Sequence, residues 1–252
     1  MNLTESLITA LDSIAANKMR AILTMLGVII GVASVIALMA IGNGFSEDIT
    51  SEINAIGTNL ITVSTDFDNS DGYPALSLDD VEALSNPNNV PAALRVGATV
   101  QGAQPVVYGG ESVNTTVSGA TPTYMEISSL NEFQLGDSLT ENDETTSARV
   151  AVLGADVASD LFGTEFPIGQ SIKINGVSYE VIGVLDDSGG GIGGFTDENV
   201  YGPLSTAMSR LFTDRTRHGQ KAVTTISVEA ASSEQVEDAI NQVTETLRNQ
   251  HG

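Results

Sequence analysis

The chain has no cysteine and no tryptophan, and its 252 residues include only three lysines and two histidines. Without cysteine there is no thiol nucleophile, no thiolate metal site and no lipid attachment through sulfur. A domain of roughly 200 residues buries enough apolar surface to do without disulfides, so the same absence says little about compartment. His218 and His251 lie far apart and form no H-E-x-x-H pattern, so both read as surface residues and no histidine-anchored metal site is expected. No Gly-Lys dipeptide occurs, which rules out a P-loop; no G-x-S-x-G occurs either, and no histidine is placed to activate a serine. Positive charge is also scarce: 10 bases face 32 acids, a net charge of −22. Glu5, Asp12, Lys18 and Arg20 balance within residues 1–46, so the whole excess falls on residues 47–252. Such a surface repels nucleic acid and anionic lipid. Two readings of the acidity stand: adaptation to high external salt, which screens self-repulsion, or acidic drift that keeps an exposed domain soluble.

What the chain does have is a long apolar run. Ala21–Ser46 carries no charge, and its heart at Ala21–Ile41 would make a helix about 32 Å long, matching a hydrocarbon core of roughly 30 Å. A helix satisfies all its own backbone groups in lipid, so residues 21–44 are read as one transmembrane helix. Lys18 and Arg20 precede it; Glu47, Asp48 and Glu52 follow. The positive-inside rule then orients residues 1–20 to the cytoplasm and residues 47–252 to the outside of the cell membrane. A signal-peptide apolar region usually has about 7–15 residues and starts near the N-terminus, so a retained anchor is the reading, with cleavage near Ala40 as the alternative. Leu3, Leu7, Leu11 and Ile14 share a helical face, which predicts an amphipathic helix within residues 1–20 lying on the membrane or extending the span. Within the span Gly27, Gly31 and Ser34 form a small-residue stripe that lets helix backbones approach closely in lipid. Gly42 and Gly44 are expected to weaken the helix as it leaves the bilayer.

Beyond the span, the periodicity predicts a strand at Asn59–Ser64, a short helix capped by Ser77 and Asp80, a strand at Ala92–Val100 and a hairpin of Val106–Tyr108 with Glu111–Ser118. Residues 119–148 are less regular. A strand at Arg149–Leu153, a helix at Ala155–Phe162 ended by Gly163, and a hairpin across Asn175-Gly176 follow. Val200–Leu204 reads as a strand, Ser205 as the cap of a helix to Phe212, and Ala222–Glu229 as a strand. Ser232 and Gln235 open a last helix whose Val236, Ile240, Val243 and Leu247 make its apolar stripe. Strand-plus-helix units at both ends bracket a different middle, which predicts an α+β fold of two subdomains, the first discontinuous.

Three motifs imitate functional ones. Asp66-x-Asp68-x-x-Asp71-Gly72 has the acids of a calcium loop, but Ser77 stands where the bidentate Glu belongs. Gly189-x-Gly191-x-x-Gly194 spells a dinucleotide fingerprint, yet it leads through Asp197 and Glu198 into a strand rather than opening a helix. Asn114-Thr115-Thr116 is a glycosylation sequon by letters. None supplies a catalytic, metal or cofactor site.

The start of the chain resembles ABC transporter permeases of the MacB/FtsX-like family. The matching residues are Ala10–Ile14, Asn17-Lys18-Met19-Arg20, Thr24-Met25-Leu26-Gly27, Ile30-Gly31-Val32-Ala33-Ser34-Val35-Ile36 and Ala55–Val63. Arg149–Gly154, Leu161-Phe162-Gly163, Pro167-Ile168-Gly169 and Val181-Ile182-Gly183-Val184 continue the likeness, as do Val200-Tyr201, Pro203-Leu204, Leu247-Arg248 and His251-Gly252. The resemblance implies an extracytoplasmic domain between two membrane spans, with a porter-like part at residues 45–105 and 217–252 and an inserted Sabre-like part at 106–216. It implies a permease dimer, homo- or heteromeric, driven by a separate cytoplasmic ABC ATPase and moving its outer domains by mechanotransmission. An extracytoplasmic adaptor or a wall hydrolase is a further implied partner. The chain itself is then no enzyme and holds no cofactor. Family members carry four spans and this chain shows one, so a fragment ending before the second span is the expectation. A single-span binding or sensor module, or a regulator of wall hydrolases, is the alternative.

Overall fold

The charge-free run becomes the first part of α1, a 38-residue helix over Lys18–Ala55 in a computed structural model that describes residues 17–55, 59–65, 74–187 and 196–251. The expected amphipathic helix at residues 3–15, the calcium-like loop at 66–72 and the glycine loop at 188–194 lie outside the described residues. Lys18–Met39 is, among the described residues, one helix long and apolar enough to cross a membrane. Its large side chains are exposed: Ile29 is 63% exposed and Leu38 72%. The helix also runs on through Gly42 and Gly44 to Ala55 without a break. Two glycines cost about 2 kcal/mol of helix propensity, which the flanking apolar turns outweigh.

The chain divides near Ile53, and the nine strands among the described residues fall in the second unit. They are β1 (Leu60–Ser64), β2 (Ala93–Tyr108), β3 (Glu111–Ala120), β4 (Phe133–Gly136), β5 (Val150–Leu153), β6 (Ser171–Ile174), β7 (Val177–Leu185), β8 (Asn199–Pro203) and β9 (Thr225–Ala230). The helices are α2 (Leu78–Ser85), α3 (Pro122–Ile127), α4 (Glu141–Thr146), α5 (Ala155–Phe162), α6 (Leu204–Arg210) and α7 (Val236–His251). The strands follow the order β1-β9-β2-β3-β8-β5-β7-β4, and β6 pairs with both β7 and β2. That last pairing closes a ring. From β2 the ladders pass through β3, β8, β5, β7 and β6 and return to β2 at Val106↔Ile174.

Ring strands alternate inward and outward residues. Val106, Val117, Ala151, Leu153, Ile172, Ile174, Tyr179, Val181 and Val200 meet in one core with Val157, Leu161 and Phe162 of α5. Side chains therefore fill the ring, as in small barrels generally, and leave no channel. The opposite face buries Val152, Tyr201, Ala120 and Leu185 beneath Met125 of α3 and Leu130. A third core joins Leu84 of α2, Ala98 and Val100 of β2, Ile226 and Val228 of β9 and Val243 of α7. Its elements come from the two ends of the sequence, and α6 adds Leu204, Ala207 and Met208 from the middle.

Four local features differ from the sequence reading. The expected break between Val100 and Val106 is absent, and β2 is a single 16-residue strand. Pro105 is tolerated because no ladder partner faces β2 on its second side there: pairing with β9 stops at Thr99 and pairing with β6 starts at Val106. Residues 119–148 contain two capped helices and an edge strand; Thr121 caps α3, and Thr140 with Asp143 forms a capping box on α4. In α7 the buried stripe is Ala239, Val243 and Thr246, and Ile240 stands 44% exposed. Ala239 packs with Ala92 and Ala230, and Val236 and Leu247 of the expected stripe pack partly buried against the cores, so Ile240 is the member that turns outward. Ser232 makes no side-chain cap, and a 3-10 turn at Ser233–Gln235 leads into α7 instead.

Candidate functional site

Lys18 and Arg20 lie exposed in the first turn of α1, followed by Thr24, Gly27, Gly31 and Ser34 at helical spacing on one stripe. A methyl group built on Gly27 or Gly31 would meet nothing within 4 Å apart from its own helical turn. The two hydroxyls of the stripe are satisfied inside the helix: Thr24 Oγ1 donates to the Arg20 carbonyl at 2.9 Å and Ser34 Oγ to the Ile30 carbonyl at 2.7 Å. The stripe is smooth and open, without a polar group in need of a partner.

In the domain the described residues include no group of three or more His, Asp or Glu placed to hold a metal. A concavity of about 490 Å³ lies beside α5 and is lined by Leu135, Phe162 and Phe166 with Asp156, Glu165 and Asp187. No basic residue lines it.

The polar side chains that are well placed hold one element to another, and three such arrangements escape a reading of spacing alone. The capping box of α2 is present as the sequence predicts, with Ser77 N–H donating to Asp80 Oδ2 at 2.8 Å. The other oxygen of Asp80 meets His251 Nε2 at 3.1 Å, tying the end of α7 to the start of α2 across 171 residues. His251 is thus more than the surface residue that its sequence context suggests. Arg95 of β2 forks between Glu229 of β9 at 2.6 Å and Glu126 of α3 at 2.8 Å. The pair with Glu229 chiefly raises the Arg95 pKa, so the guanidinium stays charged.

The third arrangement corrects the expected cap of α6. Pro203 is the N-cap and offers no side chain, and Ser205 sits inside the first turn. Glu144 of α4 does the capping: Ser205 N–H donates to Glu144 Oε1 at 2.9 Å, and Ser205 Oγ donates to the Glu144 carbonyl at 2.7 Å. Thr206 Oγ1 adds a bond to the Ala148 carbonyl. Oε2 of Glu144 is buried without a partner. Burial raises the Glu144 carboxyl above its ordinary value near 4.5, and the N–H groups of Ser205 and Leu204 offset only part of that. A carboxyl raised on folding stabilises the fold in its protonated form, and that contribution is lost as pH rises through the raised value. Urea midpoints of the wild type and Glu144→Gln should therefore diverge as pH rises above the ordinary carboxyl value, the wild type losing ground as pH climbs.

Two tyrosines lie deep in the same unit. Burial pushes the Tyr201 phenol up to about 12, although Asn199 donates to it. Tyr179, 2% exposed inside the ring, has its hydroxyl buried without a partner, and burial raises it as well. Neither is a proton donor or acceptor at physiological pH. The domain offers closed cores and helices tied to one another by side-chain bonds.

Comparison with known proteins gives a consistent family. The profile of the MacB-like periplasmic core domain matches residues 21–246. The macrolide export ATP-binding/permease protein MacB of Bdellovibrio bacteriovorus is 30% identical over 254 residues, covering 98% of this chain and 38% of its own length. Its namesake in Chlorobium luteolum is 33% identical, covering 96% of this chain and 36% of the relative. The chain thus spans under two fifths of the length of these curated relatives. Among solved structures, the periplasmic region of MacB from Actinobacillus actinomycetemcomitans aligns with a TM-score of 0.66 at 24% identity, over 79% of this chain and 87% of that one. The extracellular domain of the noncanonic ABC-type transporter YknZ from Gram-positive bacteria aligns at 0.60 and 23% identity, over 77% and 93%. At such identities the structural matches establish the mixed α/β fold alone.

Proposed function

The chain belongs to the MacB-like periplasmic core domain family, and from that membership we propose that it is the permease part of an ABC-type export or mechanotransmission machine. One observation carries this reading: the match begins at Ala21 and ends at Thr246, so it takes in the apolar helix and the domain together. On this reading α1 spans the cell membrane once, with Lys18 and Arg20 on the cytoplasmic side and residues 47–252 outside. ATP is hydrolysed by a separate ATPase chain, and the movement reaches the domain through the membrane helices.

Two structural features support the finer layout. The core shared by β1, β9, the start of β2, α2 and α7 fits a porter-like part at 45–105 and 217–252, and the closed ring fits a Sabre-like insertion at 106–216. Helix α6, although within the insertion by sequence, gives its apolar side chains to the porter-like core. The open stripe at Gly27, Gly31 and Ser34 supports helix-to-helix packing in lipid, in a dimer or against further spans of the permease. The test is affinity purification of the intact permease from native membranes. A P-loop ATPase should come with it, and deleting residues 60–251 should leave that ATPase bound while abolishing export. Recovery without any ATPase contradicts the proposal.

A further inference from the structure

The ring and the porter-like core are built on one continuous strand, and the strand is least supported where it passes from one to the other. Between Thr99, where the ladder to β9 ends, and Val106, where the ladder to β6 begins, β2 has a strand partner only in β3. The open edge receives two isolated bonds, from Gln101 N–H to Thr224 Oγ1 and from Asn175 N–H to the Pro105 carbonyl. β3 keeps β8 on its far side only as far as Thr116, opposite Ala103, so at Gln104 and Pro105 the connection narrows to two strands, an arrangement that twists readily.

Phe212 lies over this segment. A Cβ on Gly102 would stand 2.8 Å from Phe212 Cε1, so the ring occupies the space that the missing side chain leaves. Among the described residues Phe212 is the one side chain that packs against both the core of the ring and the porter-like core. Its backbone is fixed, since Phe212 N–H donates to the Ala207 carbonyl at the end of α6. Ala207 in turn is seated against Gly119 of β3, where a Cβ on the glycine would collide with it.

We propose that Phe212 is a brace, holding the ring and the porter-like half at one fixed angle by filling the notch at Gly102. Close-packed side chains resist compression, so a displacement applied to one half is delivered to the other instead of being absorbed at the narrow junction of β2 and β3. The brace deepens the export reading by naming the contact that makes the domain a rigid lever, yet its test needs neither cargo nor ATPase. A missing ATPase would defeat the export reading and leave the brace standing.

The chain has no cysteine, so Asn88→Cys on the porter-like side and Ser178→Cys on the ring, both exposed, give a clean pair of spin labels. Pulsed dipolar spectroscopy on the full chain in nanodiscs should show one narrow distance in the parent. Phe212→Ala should broaden the distribution about twofold, because loss of a packing contact frees local motion. Phe212→Leu should restore most of the width, and Phe166→Ala, which removes a ring that is 63% exposed, should change nothing. Gly102→Val, which drives the Phe212 ring out of the notch, should displace the mean distance. Equal widths for the parent and Phe212→Ala overturn the proposal. If Phe212→Ala does not fold, an unmoved mean in Gly102→Val overturns it.

Discussion

Gly154→Ala is expected to remove about 3 kcal/mol of stability, the upper end of what overpacking a rigid site costs. Gly154 ends β5 and is the N-cap of α5, and it lies against the turn before β8. A Cβ there would collide with the Asp197 carbonyl and would come within 2.6 Å of the Thr196 carbonyl. Both are backbone atoms, so no rotamer change relieves the clash. The same turn is what caps α5. Asp156 N–H donates to the Asp197 carbonyl at 3.1 Å, and Gly154 N–H donates to the Asn199 carbonyl at 2.8 Å. Moving the turn to admit a methyl group would open those bonds and loosen α5 over the core of the ring. Urea titration followed by far-ultraviolet circular dichroism should show a lower midpoint with an unchanged slope. A midpoint equal to that of the parent would mean that the turn yields without cost.

A second large effect is expected from salt. With 32 acids against 10 bases, negative charge exceeds positive by 22. The partnered carboxylates are few and local, as at Arg95, whose single guanidinium serves both Glu126 and Glu229. Repulsion among the remainder opposes the compact state. The screening length falls from about 10 Å at 0.1 M salt to about 3 Å at 1 M. Raising potassium chloride from about 0.1 to 2 M should therefore lift the melting temperature by at least about 10 °C, equivalent to a few kcal/mol for a domain of this size. The result separates the two readings of the acidity. A shift under about 3 °C would leave the carboxylates as ordinary solvated surface and remove adaptation to high salt as their reason.

The elements that were legible in the sequence are those whose cause is local. A charge-free run longer than a bilayer is thick names α1 by itself. Asn175 and Gly176 take up φ of +47° and +80°, the left-handed pair that a tight hairpin requires. Ser77 and Asp80 cap α2 through three-residue spacing, and Gly163 ends α5 with a φ of +56°. The features that were not legible depend on partners far along the chain. Closure of the ring needs β6 to find Val106 some seventy residues upstream, and no periodicity in Ser171–Ile174 specifies that. Helix α6 looks like a serine-capped helix because the true cap, Glu144, lies 61 residues away. Pro105 reads as the end of a strand until the missing neighbour on its far side is known. The stripe of α7 misleads at one position: hydrophobicity favours Ile240, but Ala239 is the residue that packs with Ala92 and Ala230. On the functional side the residues themselves exclude chemistry more readily than they name a task. The resemblance carried the rest, and the profile over residues 21–246 places the chain in that family.

The central claim is that one apolar helix separates a short cytoplasmic start from a domain exposed on the outer side. Labelling of single cysteines with a membrane-impermeant maleimide tests it directly, and the parent has none to interfere. In intact cells a cysteine at Ser178 should label fully, and one at Asn17 only after the membrane is permeabilised. If Ser178→Cys stays protected until lysis, or Asn17→Cys labels from outside, the domain is not where an outward lever has to be.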